Sequence, residues 1–153
     1  MRPLLLATLL GGALAATGCS KGEPEGAGAG APAGAGGPAG AGTRAAIPTL
    51  TVDELDARLA RGECRAVDAN GDATRKHHGV IPGAVLLSDY EAFLPSELPA
   101  DKTKGLVFYC ANEHCGASEE AAARAITAGY RDVKVLPAGI LGWAKAGKQI
   151  AKL

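Results

Sequence analysis

The sequence predicts a single α/β domain on a parallel sheet, and three observations carry that prediction. Short apolar runs alternate with segments of helical periodicity from Thr51 onward. One run, Leu106-Val107-Phe108-Tyr109, is uninterrupted, as expected of a strand covered on both faces. Turn residues fall between the runs, at Asp68-Ala69-Asn70-Gly71-Asp72 and Ile81-Pro82-Gly83. Strands that alternate with helices imply parallel pairing with helices on the faces of the sheet.

The elements follow in order. Thr51-Val52-Asp53-Glu54 has the spacing of a capping box, and Val52, Leu55 and Leu59 recur at helical intervals until Arg61-Gly62 closes the segment. Cys64 to Asp68 reads as a strand that ends in a loop, and Ala84 to Leu87 as a second short strand. Asp89 to Leu94 suits one or two helical turns. Leu106 to Tyr109 is the central strand. After it comes the polar loop Cys110 to Ala117, with Ser118 as N-cap and Glu119 and Glu120 suited to the positive end of a helix dipole. Ala121 to Ala128 is strongly helix-forming, and Gly129 is a natural stop. Val133 to Leu136 is a further strand, and Leu141 to Ala144 leads a last short helix.

The first third of the 153-residue chain does not belong to this domain. Met1-Arg2 is a short basic start, and Pro3 to Ala16 is an apolar run too short to span a membrane comfortably, so residues 1–18 read as an export signal. Ala16-Thr17-Gly18-Cys19 resembles the lipobox of bacterial lipoproteins. That resemblance implies cleavage before Cys19, its lipidation, and, with Ser20 following, sorting to the outer membrane with the domain facing the periplasm. Ala16 departs from the larger aliphatic residue usual there, and an ordinary cut near Ala13-Leu14-Ala15 is the alternative. Residues 19–46 form a Gly/Ala/Pro-rich tether, because Gly26 to Gly42 offers no large side chain whose burial could offset ordering entropy. About 27 residues of such chain reach on the order of 30 Å. Residues 47–153 remain for the domain.

Sixteen basic and sixteen acidic residues are interspersed, so the charge pattern excludes electrostatic steering toward nucleic acid or an anionic bilayer. With two Phe, three Tyr and one Trp, the core falls to Leu, Val, Ile and Ala. Of the four cysteines, Cys64 opens a strand without any motif and reads as a core residue. Cys110 sits where a parallel sheet places its chemistry, at the carboxyl end of a strand. A cysteine in a loop that curls into a helix N-terminus lies beneath converging backbone N–H groups, which favour the thiolate. The amides of Ala111, Asn112, Glu113, His114, Gly116 and Ala117 are the candidate anion cradle. His114 beside two cysteines suggests a metal, but the spacing matches no zinc motif, and no metal or other cofactor is expected.

The ordered set Val67-Asp68, Ile81-Pro82-Gly83-Ala84, Val107-Phe108-Tyr109-Cys110, Gly129-Tyr130, Val133 and Gly139-Ile140-Leu141-Gly142-Trp143 resembles a rhodanese domain over about Thr49 to Gly147. The resemblance implies a rhodanese-like α/β domain with a parallel five-stranded sheet flanked by helices. It also implies a catalytic cysteine after a central strand, a position on which Cys110 falls. Three departures stand against the family pattern. Asn70 replaces the Arg of the usual acid-x-Arg, and Val80 replaces the His often found before Ile-Pro-Gly. The loop from Cys110 to Ser118 is about two residues longer than usual and lacks its Arg. Arg75, Lys76, His77 and His78 are the basic groups available to substitute.

The implied activity is sulfur transfer: the Cys110 thiolate takes sulfane sulfur from a small donor such as thiosulfate, holds it as a persulfide, and hands it to cyanide or another thiol. Phosphatase chemistry is disfavoured, because this loop has no Arg to grip phosphate in bidentate fashion. Cys115, five positions on, is either structural or a resolving thiol that closes a disulfide with Cys110 in an oxidising compartment. The alternatives to an enzyme are a non-catalytic module that binds a protein partner and a thiol-disulfide redox protein.

Overall fold

The computed structural model describes residues 46–153, and the expectations for the signal, the lipidated Cys19 and the tether up to residue 45 lie outside it. Four helices and four strands follow one another along this segment: α1 (Val52–Ala60), β1 (Cys64–Asp68), α2 (Asp72–His78), β2 (Val85–Leu86), β3 (Gly105–Tyr109), α3 (Ala117–Thr127), β4 (Val133–Leu136) and α4 (Gly139–Lys145). A 3₁₀ turn spans Pro95–Glu97. The sheet order is β2-β1-β3-β4, and every pair is parallel.

The sheet is one strand short of the five that the resemblance implies. Its fifth position is a single parallel bridge, Thr49 to Val135, in which Val135 donates to the Pro48 carbonyl and Leu50 donates to the Val135 carbonyl. Pro48 accounts for the shortness: it has no N–H to give to a ladder.

Side-chain alternation along β3 divides the core in two. Leu106 and Phe108 pack with Ala121, Ala122, Ala125 and Tyr130 on the α3 side. Val107 and Tyr109 pack with Leu55, Ile81, Ile140 and Trp143 on the α1 and α4 side. Each fully buried residue of this size contributes roughly 1.5–3 kcal/mol of transfer free energy, and all five residues of β3 are buried. Cys64 lies in the second cluster as a buried packing residue.

The capping box forms as its spacing predicts: Glu54 N–H donates to Thr51 Oγ, and Thr51 N–H donates to the Glu54 carboxylate at 2.8 Å. Two local expectations are corrected. The turn expected over residues 68–72 runs into a helix that the sequence reading did not assign, α2, which starts at Asp72 and buries only Arg75. Ser118, expected as the N-cap of α3, lies inside its first turn, and Gly116 occupies the cap. The stretch from Asp89 closes one α-turn, in which Phe93 N–H donates to the Asp89 carbonyl.

Candidate active site

Strand parity places the site. Residues 106 and 108 face α3, so the residue after β3 at position 110 turns to that side too. There the Cys110 sulfur lies 3.4 Å from Ser118 Oγ in the first turn of α3. The backbone of the same residue is held from the other side: Ile140 N–H donates to the Cys110 carbonyl at 2.9 Å, and Leu141 N–H donates to the Ala111 carbonyl at 3.1 Å. The Gly139-to-Trp143 motif therefore pins the base of the loop. Gly139 is obligatory for this approach, since its φ is +59° and a Cβ would sit 2.4 Å from the Ala111 carbonyl oxygen.

The loop folds over the thiol. Cys110 is 1% exposed. Its sulfur donates to the Cys115 carbonyl oxygen at 2.8 Å. Burial first, then the Cys115 side chain, push the Cys110 thiol above its usual value, with the Ser118 hydroxyl and N–H pulling the other way. Asn112 organises the rest of the loop by accepting from His114 N–H with its side chain at 3.0 Å and from Cys115 N–H with its carbonyl at 3.1 Å. Of the expected cradle, the His114 amide is thus committed within the loop. The N–H groups of Ala111 and Ala117 lower the pKa of Cys115, while that of Ser118 acts on Cys110. Glu113 and His114 are exposed, with 3.9 Å between His114 Nε2 and Glu113 Oε1.

Cys115 differs from Cys110 in every respect. It is partly exposed. Burial raises its pKa, but hydrogen bonds from the Cys110 thiol and from the Ala111 and Ala117 N–H groups outweigh that and hold it below the usual thiol value. All three described cysteines are free thiols. Among the described residues, no three His, Cys, Asp or Glu side chains converge as metal ligands.

Beside the loop, Asp68 at the end of β1 is fully buried, and Arg75 reaches it from α2. The guanidinium lies 3.5 Å from Asp68 Oδ1 and donates to the carbonyls of Asp68 at 3.1 Å and Leu87 at 2.8 Å. Of the four basic candidates, Arg75 alone is buried, and it serves this polar floor rather than the cysteine loop. Tyr109, beneath it, accepts from Ile81 N–H at 3.1 Å; its phenol is pushed up by burial first and then by the charge on Asp68. Ser118 is the site residue that sequence reasoning placed differently, because its hydroxyl looked like a cap.

A parallel α/β sheet with a cysteine loop at the carboxyl end of its central strand defines a class of cysteine-centred domains. Residues 51–146 match the model of the rhodanese-like domain, and the chain belongs to that family. Among solved structures, the BH2092 protein from Bacillus halodurans is 23% identical, with coverage of 69% of this chain and 77% of that one at a TM-score of 0.60. A protein from Rhodopseudomonas palustris described as a possible tyrosine phosphatase is 27% identical over 69% of this chain and 85% of its own, at a TM-score of 0.57. Thiosulfate sulfurtransferase from Pseudomonas aeruginosa is 26% identical over 69% of this chain at a TM-score of 0.57, and the match spans 20% of that longer chain. No curated protein matches the sequence significantly.

Proposed function

We propose that this domain is a sulfurtransferase or persulfide carrier that moves sulfane sulfur through a persulfide on Cys110. The observation that carries the reading is the setting of Cys110 at the carboxyl end of β3, with its sulfur against Ser118 in the first turn of α3. The dipole of an 11-residue helix favours the negative charge of a bound persulfide there. Similarity to a thiosulfate sulfurtransferase supports the same substrate class, a small sulfur donor with cyanide or a thiol as acceptor. The test is peptide mapping of the chain after exposure to thiosulfate. One added sulfur on Cys110, released as thiocyanate by cyanide and unaffected by Cys64→Ser, is the expected result. Absence of sulfur from Cys110 overturns the reading.

A second reading is a non-catalytic partner-binding module, favoured by the 1% exposure of Cys110 and by the loop's lack of Arg. We further propose that the chain is a bacterial lipoprotein anchored through Cys19 and facing the periplasm. Ala16-Thr17-Gly18-Cys19 and the Gly/Ala/Pro tether support this. Incorporation of labelled fatty acid that persists in Cys19→Ser would exclude it.

A further inference from the structure

We propose that sulfur enters this site through Cys115 and is then passed inward to Cys110, so that the two thiols form a two-station relay. The inference rests on the persulfide reading above and assigns its entry point.

Four observations carry it. Cys110 is 1% exposed, so with the loop in place a donor anion has no path to its sulfur. Cys115 is the partly exposed thiol of the same loop. The Cys110 sulfur lies 2.8 Å from the Cys115 carbonyl oxygen, so the inner thiol is packed directly against the residue that carries the outer one. Finally, the N–H groups of Ala111 and Ala117 lower the pKa of Cys115 enough to outweigh its burial together with the Cys110 side chain, whereas at Cys110 the Ser118 hydroxyl and N–H do not outweigh burial. The lowered pKa of Cys115 and the raised pKa of Cys110 agree with that division of labour.

The chemistry balances without an added oxidant. Cys115 thiolate attacks the outer sulfur of thiosulfate; a sulfur–sulfur bond forms, the one to sulfite breaks, and sulfite leaves with the electron pair. Cys115 then carries a persulfide anion. Cys110 attacks the outer sulfur of that persulfide, and its proton passes to the departing Cys115 sulfur. The net change is movement of one sulfane sulfur from the rim to the end of β3. Attack on the inner sulfur instead would form a Cys110–Cys115 disulfide and expel hydrosulfide.

The test uses the full chain, its Cys110→Ser variant, and Cys115→Ser with Cys115→Ala as a second replacement of the outer thiol. Each is mixed with thiosulfate, quenched at intervals and peptide-mapped. Relay predicts that Cys110→Ser gains one sulfur at Cys115 at the unmodified rate and advances no further. Both Cys115 variants should load Cys110 at least about tenfold more slowly, because the buried, proton-bearing thiol must then react directly. Loading of Cys110 at the unmodified rate in the Cys115 variants overturns the relay and leaves the persulfide reading intact. Loss of two hydrogens with hydrosulfide release overturns the relay in favour of a disulfide. Failure of every protein to gain sulfur overturns the persulfide reading and the relay with it.

Discussion

The Cys110 sulfur and the Cys115 carbonyl oxygen lie 2.8 Å apart, a contact that only the protonated thiol can make as a hydrogen bond. The loop therefore stores Cys110 in its protonated form. Ordering of alkylation follows. Iodoacetamide is predicted to modify Cys115 first, with an apparent pKa below that of an ordinary thiol, while Cys110 and the buried Cys64 stay protected until the chain unfolds. Peptide mapping across a pH series reads both the order and the midpoint; Cys110 reacting first would be incompatible with the structure.

Glu119 lies near enough to Cys115 for its charge to raise that thiol's pKa. Glu119→Gln is predicted to speed the reaction of Cys115 with an anionic reagent by roughly two- to fivefold at low salt, an effect that fades as ionic strength rises. Stopped-flow kinetics with an anionic disulfide, compared at two salt concentrations, checks it.

Among the described residues, Arg75 is the sole charged partner held against buried Asp68. Arg75→Met leaves that carboxylate uncompensated in the core and is predicted to cost about 3–5 kcal/mol in denaturant unfolding. The double variant Arg75→Met with Asp68→Asn should recover part of the loss, because it removes the unpaired charge as well.

Gly139→Ala is predicted to destabilise the fold by at least about 2 kcal/mol, since it combines a positive φ with a clash against backbone that cannot yield. Its carbonyl neighbours are those of Cys110 and Ala111. The same variant should therefore expose the inner thiol, read as faster alkylation of Cys110 under native conditions.

Glu97 ties down the crossover between β2 and β3. Its carboxylate accepts from Ser88 N–H and Ser88 Oγ, both at 2.8 Å, and from Leu94 N–H at 2.9 Å. The bond from Ser88 N–H first, then that from Leu94 N–H, hold its pKa below the usual carboxylate range. The folded state thus binds this proton less readily than the unfolded chain. Glu97 stabilises fully above the ordinary glutamate value, and its contribution disappears as pH falls through the lowered one. Glu97→Ala should cost about 1–2 kcal/mol at neutral pH and flatten the acid limb of the stability curve. Thermal unfolding between neutral and acid pH measures both.

Sequence and structure agree where one physical signal dominates. The uninterrupted apolar run gave β3, Thr51 with Glu54 gave the start of α1, and the ordered motifs gave the family. They part where position depends on distant contacts. Asp72 to His78 carries no apolar periodicity, and α2 was illegible because its one buried side chain is Arg75, held by Asp68 and Leu87. Ser118 has the chemistry of a cap, yet Gly116 fills that role and frees the hydroxyl for Cys110. Cys110 was found from its place after the strand, but the direction of the Cys115 carbonyl is a property of loop backbone that residue types do not encode.

Both flanks of the sheet are short. On one side β2 offers two residues, and on the other the Pro48-to-Leu50 segment covers β4 with a single bridge. A neighbouring chain would find almost no run of unpaired backbone to extend, so the fold resists templated strand addition. Copies of the domain that meet edge to edge therefore have little free backbone through which to join their sheets.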